Sequence, residues 1–196
     1  MTPQREERFL EVLRKRQNSL TVVMENISDE HNISAVLRTC DAVGIHEVYV
    51  LHTMEIGTSS KLKLGKKSSA SARKWIDVHY FSDKKKCMEE LRKKYKKIYS
   101  TLLAESSVSV YSLDLTESVA LIFGNEHDGV SKEISEMCDG NFIIPQVGMI
   151  RSLNISVACA VTLYEAFRQR SAKGLYASAQ LSEVEISKLF SEWKDK

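Results

Sequence analysis

An α/β protein with a mostly parallel sheet flanked by helices is predicted by three features of the sequence. Short apolar runs rich in β-branched residues alternate with segments of helical period along most of the chain. One of those runs, Ala120 to Phe123, is apolar without a break, as a strand covered on both faces must be. Helical patterns also close both ends of the chain, outside the alternation. Taken alone, these units predict a doubly wound sheet. The 196 residues suffice for one domain and a sizeable core. We expect helical extensions at 1–18 and 173–196 around a sheet domain at 19–172.

In order along the chain, Thr2 and Pro3 make the cap and first-turn proline of a helix that runs to about Arg16. Phe9, Val12 and Leu13 give it a narrow apolar stripe, while Arg5, Arg8, Arg14, Lys15 and Arg16 crowd the other side. Leu20 to Met24 is a buried strand by its β-branched centre. The polar loop E-N-I-S-D-E-H-N leads to a helix from about Asn32 to Val43, stopped at Gly44. Glu47 to Leu51 is the next strand. His52 to Lys74 has no clear period, and a loop of that length is either functional or disordered. Trp75 to Phe81 alternates as a strand. Met88, Leu91, Tyr95 and Ile98 keep helical spacing, which predicts an amphipathic helix with a basic face. Ile98 to Leu103 and Ala120 to Phe123 are further strands.

The stretch from Asn141 to Ala166 carries the most information. Phe142 to Ile144 is a short strand stopped by Pro145, which has no N–H to give a ladder. A loop containing Gly148 follows, and Ser152 stands where a helix cap belongs. No residue from Ser152 to Tyr164 is charged. Leu153, Val157, Val161 and Tyr164 mark one face, and Ala158, Cys159, Thr162 and Leu163 fill much of the rest. A helix apolar on most sides is expected to be buried on most sides. At roughly 13 residues it is too short for a bilayer, which needs about 20. Such a strand–loop–helix junction points backbone N–H groups beyond the strand end, where α/β proteins often hold small polar ligands. A well-capped core helix is the plain alternative, and this stretch alone leaves both open. Lys173-Gly174 then breaks the chain before an amphipathic helix marked by Leu181, Val184, Ile186, Leu189, Phe190 and Trp193.

The net charge of +2 hides an uneven distribution. Lys61, Lys63, Lys66, Lys67, Arg73 and Lys74 follow one another with no acid among them, and eight more Lys and Arg lie between Lys84 and Lys97. Local positive charge of this kind suits a polyanion, although a solvated basic face is the common alternative. The four cysteines form no C-x-x-C pair, and the histidines form no ligand cluster. They predict reduced thiols in a cytoplasmic protein and no metal site. The charged N-terminus lacks the apolar run of a signal peptide, and nothing predicts a membrane segment. No G-x-G-x-x-G occurs among the eight glycines, so a nucleotide-like cofactor would not be held in the Rossmann manner.

Three stretches converge on a known family: N-I-S-A-V-L-R-T-C-D-A-V-G (Asn32 to Gly44), L-I-F-G-N-E-H-D-G-V-S (Leu121 to Ser131), and I-P-Q-V-G-M-I-R-S-L-N-I-S-V-A. In this order they resemble the three motifs of the SPOUT RNA 2′-O-ribose methyltransferases. Nearly the whole chain resembles the TrmH type, which acts on a guanosine ribose in the tRNA D-loop, at position 18. The likeness takes in the L-T-V-V-M-E-N strand and S-A-S-A-R-K-W.

The resemblance implies a SPOUT fold with a deep C-terminal trefoil knot in about 119–170, a homodimer, tRNA as substrate and S-adenosylmethionine as methyl donor. Knotted chains are rare, and only the resemblance implies one here. Carried over, the cofactor contacts fall at Leu102, Leu103, Gly124, Ile144, Ser152, Leu153 and Asn154. The catalytic set is Arg38, Asn32, Glu126 and Asn154. Arg38 is the family's candidate for activating the 2′-hydroxyl. A guanidinium stays protonated, so it better holds the adjacent phosphate and stabilises the alkoxide. Asn32 has a plain cap as its alternative role, and Glu126 either orients Arg38 or lines the RNA site. Asn154 holds either the cofactor's methionine end or the motif loop. Asp128-Gly129 is a turn, and His127 has no assigned role. Arg8, Arg14, Lys61, Lys63, Lys66, Lys67 and Arg73 are expected to track RNA phosphates. Ribosomal RNA or another tRNA site, and a non-catalytic basic RNA-binding module, are the alternative functions.

Overall fold

The computed structural model describes residues 1–53 and 72–196. Lys61, Lys63, Lys66 and Lys67 lie outside the described residues. Seven strands of the described residues form one sheet: β1 Leu20–Glu25, β2 Glu47–Leu51, β3 Asp77–Phe81, β4 Lys97–Thr101, β5 Val108–Ser109, β6 Val119–Phe123 and β7 Gly140–Ile143. All pairings are parallel, in the order β3-β2-β1-β6-β4-β7-β5. This corrects the doubly wound expectation. Such a sheet adds strands outward in chain order from its switch point. Here β6 is inserted between β1 and β4, and β7 between β4 and β5. No local pattern in a strand records which earlier strands it will separate.

Among the described residues, six α-helices accompany the sheet: α1 Pro3–Arg14, α2 Glu30–Ala42, α3 Lys84–Lys94, α4 Lys132–Glu136, α5 Ile155–Ala172 and α6 Glu183–Lys194. The period of two on β1 and β6 sends alternate side chains to opposite faces. Val22, Met24, Leu121 and Phe123 share a core with Ile33, Leu37 and Cys40 of α2 and Cys159 and Leu163 of α5. Val23, Ala120 and Ile122 meet Met88 and Leu91 of α3 and Ile134 of α4. Both strands are therefore buried along their whole length. A third cluster joins α1 to α6 through Phe9, Leu13, Ile186 and Trp193, with Trp75 packed on it. The Phe9 and Trp193 rings meet edge-on with centroids 5.5 Å apart.

Arg16 departs from the expected basic face of α1. The helix ends at Arg14, the chain turns inward, and Arg16 is completely buried. It reaches Asp41 at 2.6 Å, donates to the carbonyls of Ile45 and Trp75, and lies over the Trp193 ring. The helix expected from about Asn32 begins at Glu30, with Asp29 accepting the His31 N–H as its cap. Its end holds, since Gly44 follows the cap residue Val43 at φ +87°. Tyr95 and Ile98 do not continue α3: Tyr95 follows its last turn with extended backbone, and Ile98 belongs to β4. Both are buried, so their spacing imitated one helical face. The short β5 and α4 show no period that could announce them.

The largest correction concerns α5. Its cap is Asn154, whose Oδ1 accepts the Ser156 N–H at 2.9 Å, and not Ser152. The helix has 18 residues, closing at Lys173-Gly174 as predicted. It is not buried on most sides. Ile155, Cys159, Leu163 and Ala166 enter the core, while Val157 and Tyr164 are about half exposed, at 47% and 54%. Leu153 and Phe167 extend the uncovered strip, each at 37%. On α6, Val184 is likewise in solvent, on the outer side of a first turn fixed by a Ser182–Glu185 capping box.

Candidate active site

β6, β4 and β7 are neighbours in the sheet, and their carboxyl ends open on a cavity of about 720 Å³. Its walls come from three connections: Thr101 to Leu103 after β4, Gly124 to Gly129 after β6, and the β7–α5 loop from Ile144 to Leu153. Ile155 and Ala158 of α5 close it from below. Leu102, Leu103, Gly124, Ile144, Ser152 and Leu153 all line it. Asn154, the seventh residue expected there, caps α5 immediately beyond Leu153. Gln146, Ile150 and Arg151 also line the cavity and were not anticipated. Their signal was the strand–loop–helix junction itself, most of whose loop lines the cavity.

The loop after β6 is unusually tight. A Cβ on Gly124 would stand 1.9 Å from the carbonyl carbon of Gly129, so the loop's far side folds directly onto its start. The Asn125 side chain accepts the N–H groups of His127 at 2.8 Å and Asp128 at 2.7 Å. The Gly129 N–H donates back to the Asn125 carbonyl. These bonds make the Asp128-Gly129 turn and hold Glu126 on the rim.

Three sequence-distant residues meet there. The Asn32 amide, in the first turn of α2, donates through Nδ2 to Glu126 Oε1. Its Oδ1 accepts from Asn154 Nδ2 at 3.1 Å. Asn154 Oδ1 in turn takes both the N–H and the hydroxyl of Ser156. The carboxylate accepts only, which fixes the Asn32 amide one way round and leaves its oxygen for Asn154. Each partner comes from a different motif, so this chain of bonds ties all three together. Asn32 is thus a bridge and not the cap of α2.

Arg38 is not brought into this junction. It is exposed on α2, six residues beyond Asn32 and so roughly 9 Å along the helix axis, and it does not line the cavity. Arg8 and Arg14 are exposed on α1, beside the segment Tyr176 to Ala179, and Arg8 is paired with Glu11 at 2.6 Å. Arg73 is exposed in a single 3-10 turn before β3. Among the described residues, no group of three or more His, Cys, Asp or Glu is placed to hold a metal ion. No helix among them is long and apolar enough to cross a membrane.

The model of the SpoU rRNA Methylase family matches residues 19–164. The chain belongs to the SpoU methylase family. The matched span runs from the entry to β1 into α5 and contains the whole sheet and the cavity. The tRNA (guanosine(18)-2′-O)-methyltransferase of Aquifex aeolicus is 40% identical over 95% of this chain and 86% of its own. The protein of the same name from Escherichia coli K12 is 35% identical, over 98% and 82%. The crystal structure of the A. aeolicus TrmH/SpoU tRNA modifying enzyme superposes with a TM-score of 0.87 at 39% identity, covering 97% of this chain and 94% of that one. These SpoU relatives cover α1 and α6 as well as the sheet.

Proposed function

We propose that the protein transfers a methyl group from S-adenosylmethionine to the ribose 2′-hydroxyl of guanosine 18 in the tRNA D-loop. The observation that carries this reading is the junction of Asn32, Glu126 and Asn154 on the rim of the strand-end cavity. The near full-length relatives with this activity in their names support the choice of substrate.

The cavity suits the cofactor. Leu102, Leu103, Ile144 and Leu153 offer apolar walls for a purine, and the backbone beside Gly124 and Ser152 offers hydrogen-bonding edges. When bound, S-adenosylmethionine supplies a sulfonium methyl that is already activated for attack. The chain's own residues then have three tasks: to align the 2′-hydroxyl, to steady its developing charge and to exclude competing water. Asn154 caps α5 and so sets the edge of the cofactor wall, while Asn32 and Glu126 define the RNA side. Arg38 holds the flanking phosphate in a planar fork and stabilises the alkoxide, and the phosphate or a water takes the proton.

Because Arg38 stands away from the cavity of its own chain, it serves the cavity of a second copy. The uncovered strip Val157, Tyr164 and Phe167 on α5 supports a homodimer, since contiguous exposed apolar surface marks an interaction site. The interleaving of β6, β4 and β7 before α5 returns to α2 is consistent with a trefoil knot in about 119–170. In this reading 19–172 is the catalytic domain, working in the cytoplasm. The extension at 1–18 offers Arg8 and Arg14 to tRNA, and the basic residues Lys61, Lys63, Lys66, Lys67 and Arg73 are assigned the same role by their charge.

The test is to incubate the protein with unmodified tRNA and labelled S-adenosylmethionine and to map the methylated ribose. Label at guanosine 18 is expected. Label confined to ribosomal RNA or to another tRNA nucleotide would move the substrate within the family. RNA binding without any transfer would leave a non-catalytic module.

A further inference from the structure

Glu25 closes β1 with its residue only 1% exposed. A carboxylate withdrawn from water is costly unless it is matched, and among the described residues Glu25 has no cation within ion-pair range. Its hydrogen bonds both come from Ser131, the backbone N–H at 2.9 Å and the hydroxyl at 2.6 Å. Ser131 occupies the N-cap position of α4, yet its side chain accepts no N–H from that helix. The hydroxyl is committed to Glu25 instead, so the serine does not serve its own helix.

These bonds fix the far end of the loop after β6. Its near end is fixed by the close approach of Gly124 to Gly129, and Glu126 stands between the two. We propose that Glu25 is a positioning residue for methyl transfer, anchoring Ser131 so that Glu126 meets Asn32 on the cavity rim. This rests on the reading of the site given above. Glu25 does not line the cavity, and its effect passes through the loop.

Glutamine is the informative replacement. Its Oε1 accepts the Ser131 N–H and its Nε2 donates to the Ser131 hydroxyl, so Glu25→Gln keeps both bonds without the charge. We expect Glu25→Gln to retain turnover within about threefold and Glu25→Ala to lose at least ~10-fold in kcat, with KM for tRNA within about twofold. In an Glu126→Ala background, Glu25→Ala should cost less than about twofold more, because the loop then has nothing left to position. Hydrogen exchange gives a readout free of activity: residues 125–131 should exchange faster in Glu25→Ala and as in the parent in Glu25→Gln. Should Glu25→Ala not fold, Ser131→Ala removes one of the two bonds and is measured in the same way, with a smaller loss in the same direction.

Equal losses in both backgrounds would reduce Glu25 to general stability and overturn the proposal. So would a Glu25→Gln variant as impaired as Glu25→Ala, or exchange in the loop that ignores Glu25. A loop that responds as expected in a protein that methylates no RNA would overturn the functional reading while leaving the anchor itself in place.

Discussion

Asn154 donates to the side-chain oxygen of Asn32 at 3.1 Å across 122 positions of the chain. The cap of one helix is thereby bonded to the first turn of another, and Asn32 passes the connection on to Glu126. The donor side of the Asn32 amide is what makes this possible.

Asn32→Asp keeps the shape and removes that donor, setting two carboxylates against each other. We expect kcat/KM to fall on the order of 10²-fold, more than the ~10-fold of Asn32→Ala. Two facing carboxylates share a proton more readily as pH falls, so Asn32→Asp should recover part of its deficit toward pH 5 while Asn32→Ala does not. Steady-state kinetics at two pH values decide it, and an Asn32→Asp enzyme as active as the parent would dissolve the junction's role.

Arg38→Ala should keep cofactor affinity and most tRNA affinity while methyl transfer falls by at least ~10². Arg38→Lys should recover little, since an ammonium does not reproduce the planar fork. Mixing the Arg38→Ala and Asn154→Ala chains tests placement. If Arg38 serves the other copy's cavity, heterodimers carry both lesions at one site and none at the other, and activity returns in part. No recovery in verified heterodimers would put Arg38 and the cofactor on one chain.

A charge on the uncovered face of α5 should separate the copies. Val157→Asp or Tyr164→Asp alters a side chain about half exposed in the single chain, so the fold should survive. Sedimentation should show the parent as a dimer and the variants shifted to monomer, with transfer activity falling in parallel. A monomeric parent would remove the premise.

Glu47 ties stability to acid pH. Burial pushes its carboxyl up, but hydrogen bonds from His79, Lys94 and Tyr95 outweigh this and bring it down to about 2. A folded-state value below the unfolded one means the stabilisation is complete above about 4.5 and is lost as pH falls toward 2. It amounts to something on the order of 3 kcal/mol. Urea midpoints measured from pH 6 down to pH 2.5 should fall in the parent. Glu47→Gln should start lower and fall less steeply, and parallel curves would assign the acid lability elsewhere.

The sequence announced what is local and repeated. β1, β2 and β6 are largely apolar runs buried along their length, and the stops at Gly44 and Gly174 follow from their positive φ. It could not announce sheet order, because an apolar run does not encode its neighbours. Ser152 and Asn154 are both good caps by type, and only the loop's path decides between them. The lining of the strand-end cavity was legible through motif likeness and strand-end geometry together. The strip of α5 was misread because an apolar face left in solvent and one turned to the core have the same composition. Glu25 fell inside a stretch of family likeness but received no role, because its partner lies 106 positions away.

The pairing of β1 with β6 also sets a timetable. Leu20 to Met24 leaves the ribosome roughly a hundred residues before Val119 to Phe123, which fills its flank. At roughly 5–20 residues per second, the edge of β1 waits some seconds beside a growing chain. An unpaired apolar edge is a template for wrong pairing in the meantime. Prompt docking of α2, which follows β1 in the chain, protects one face of the nascent strand, but the flank that β6 fills stays open until β6 arrives. Yield during rapid synthesis should therefore depend more on the few residues of β6 than on any residue that touches a substrate.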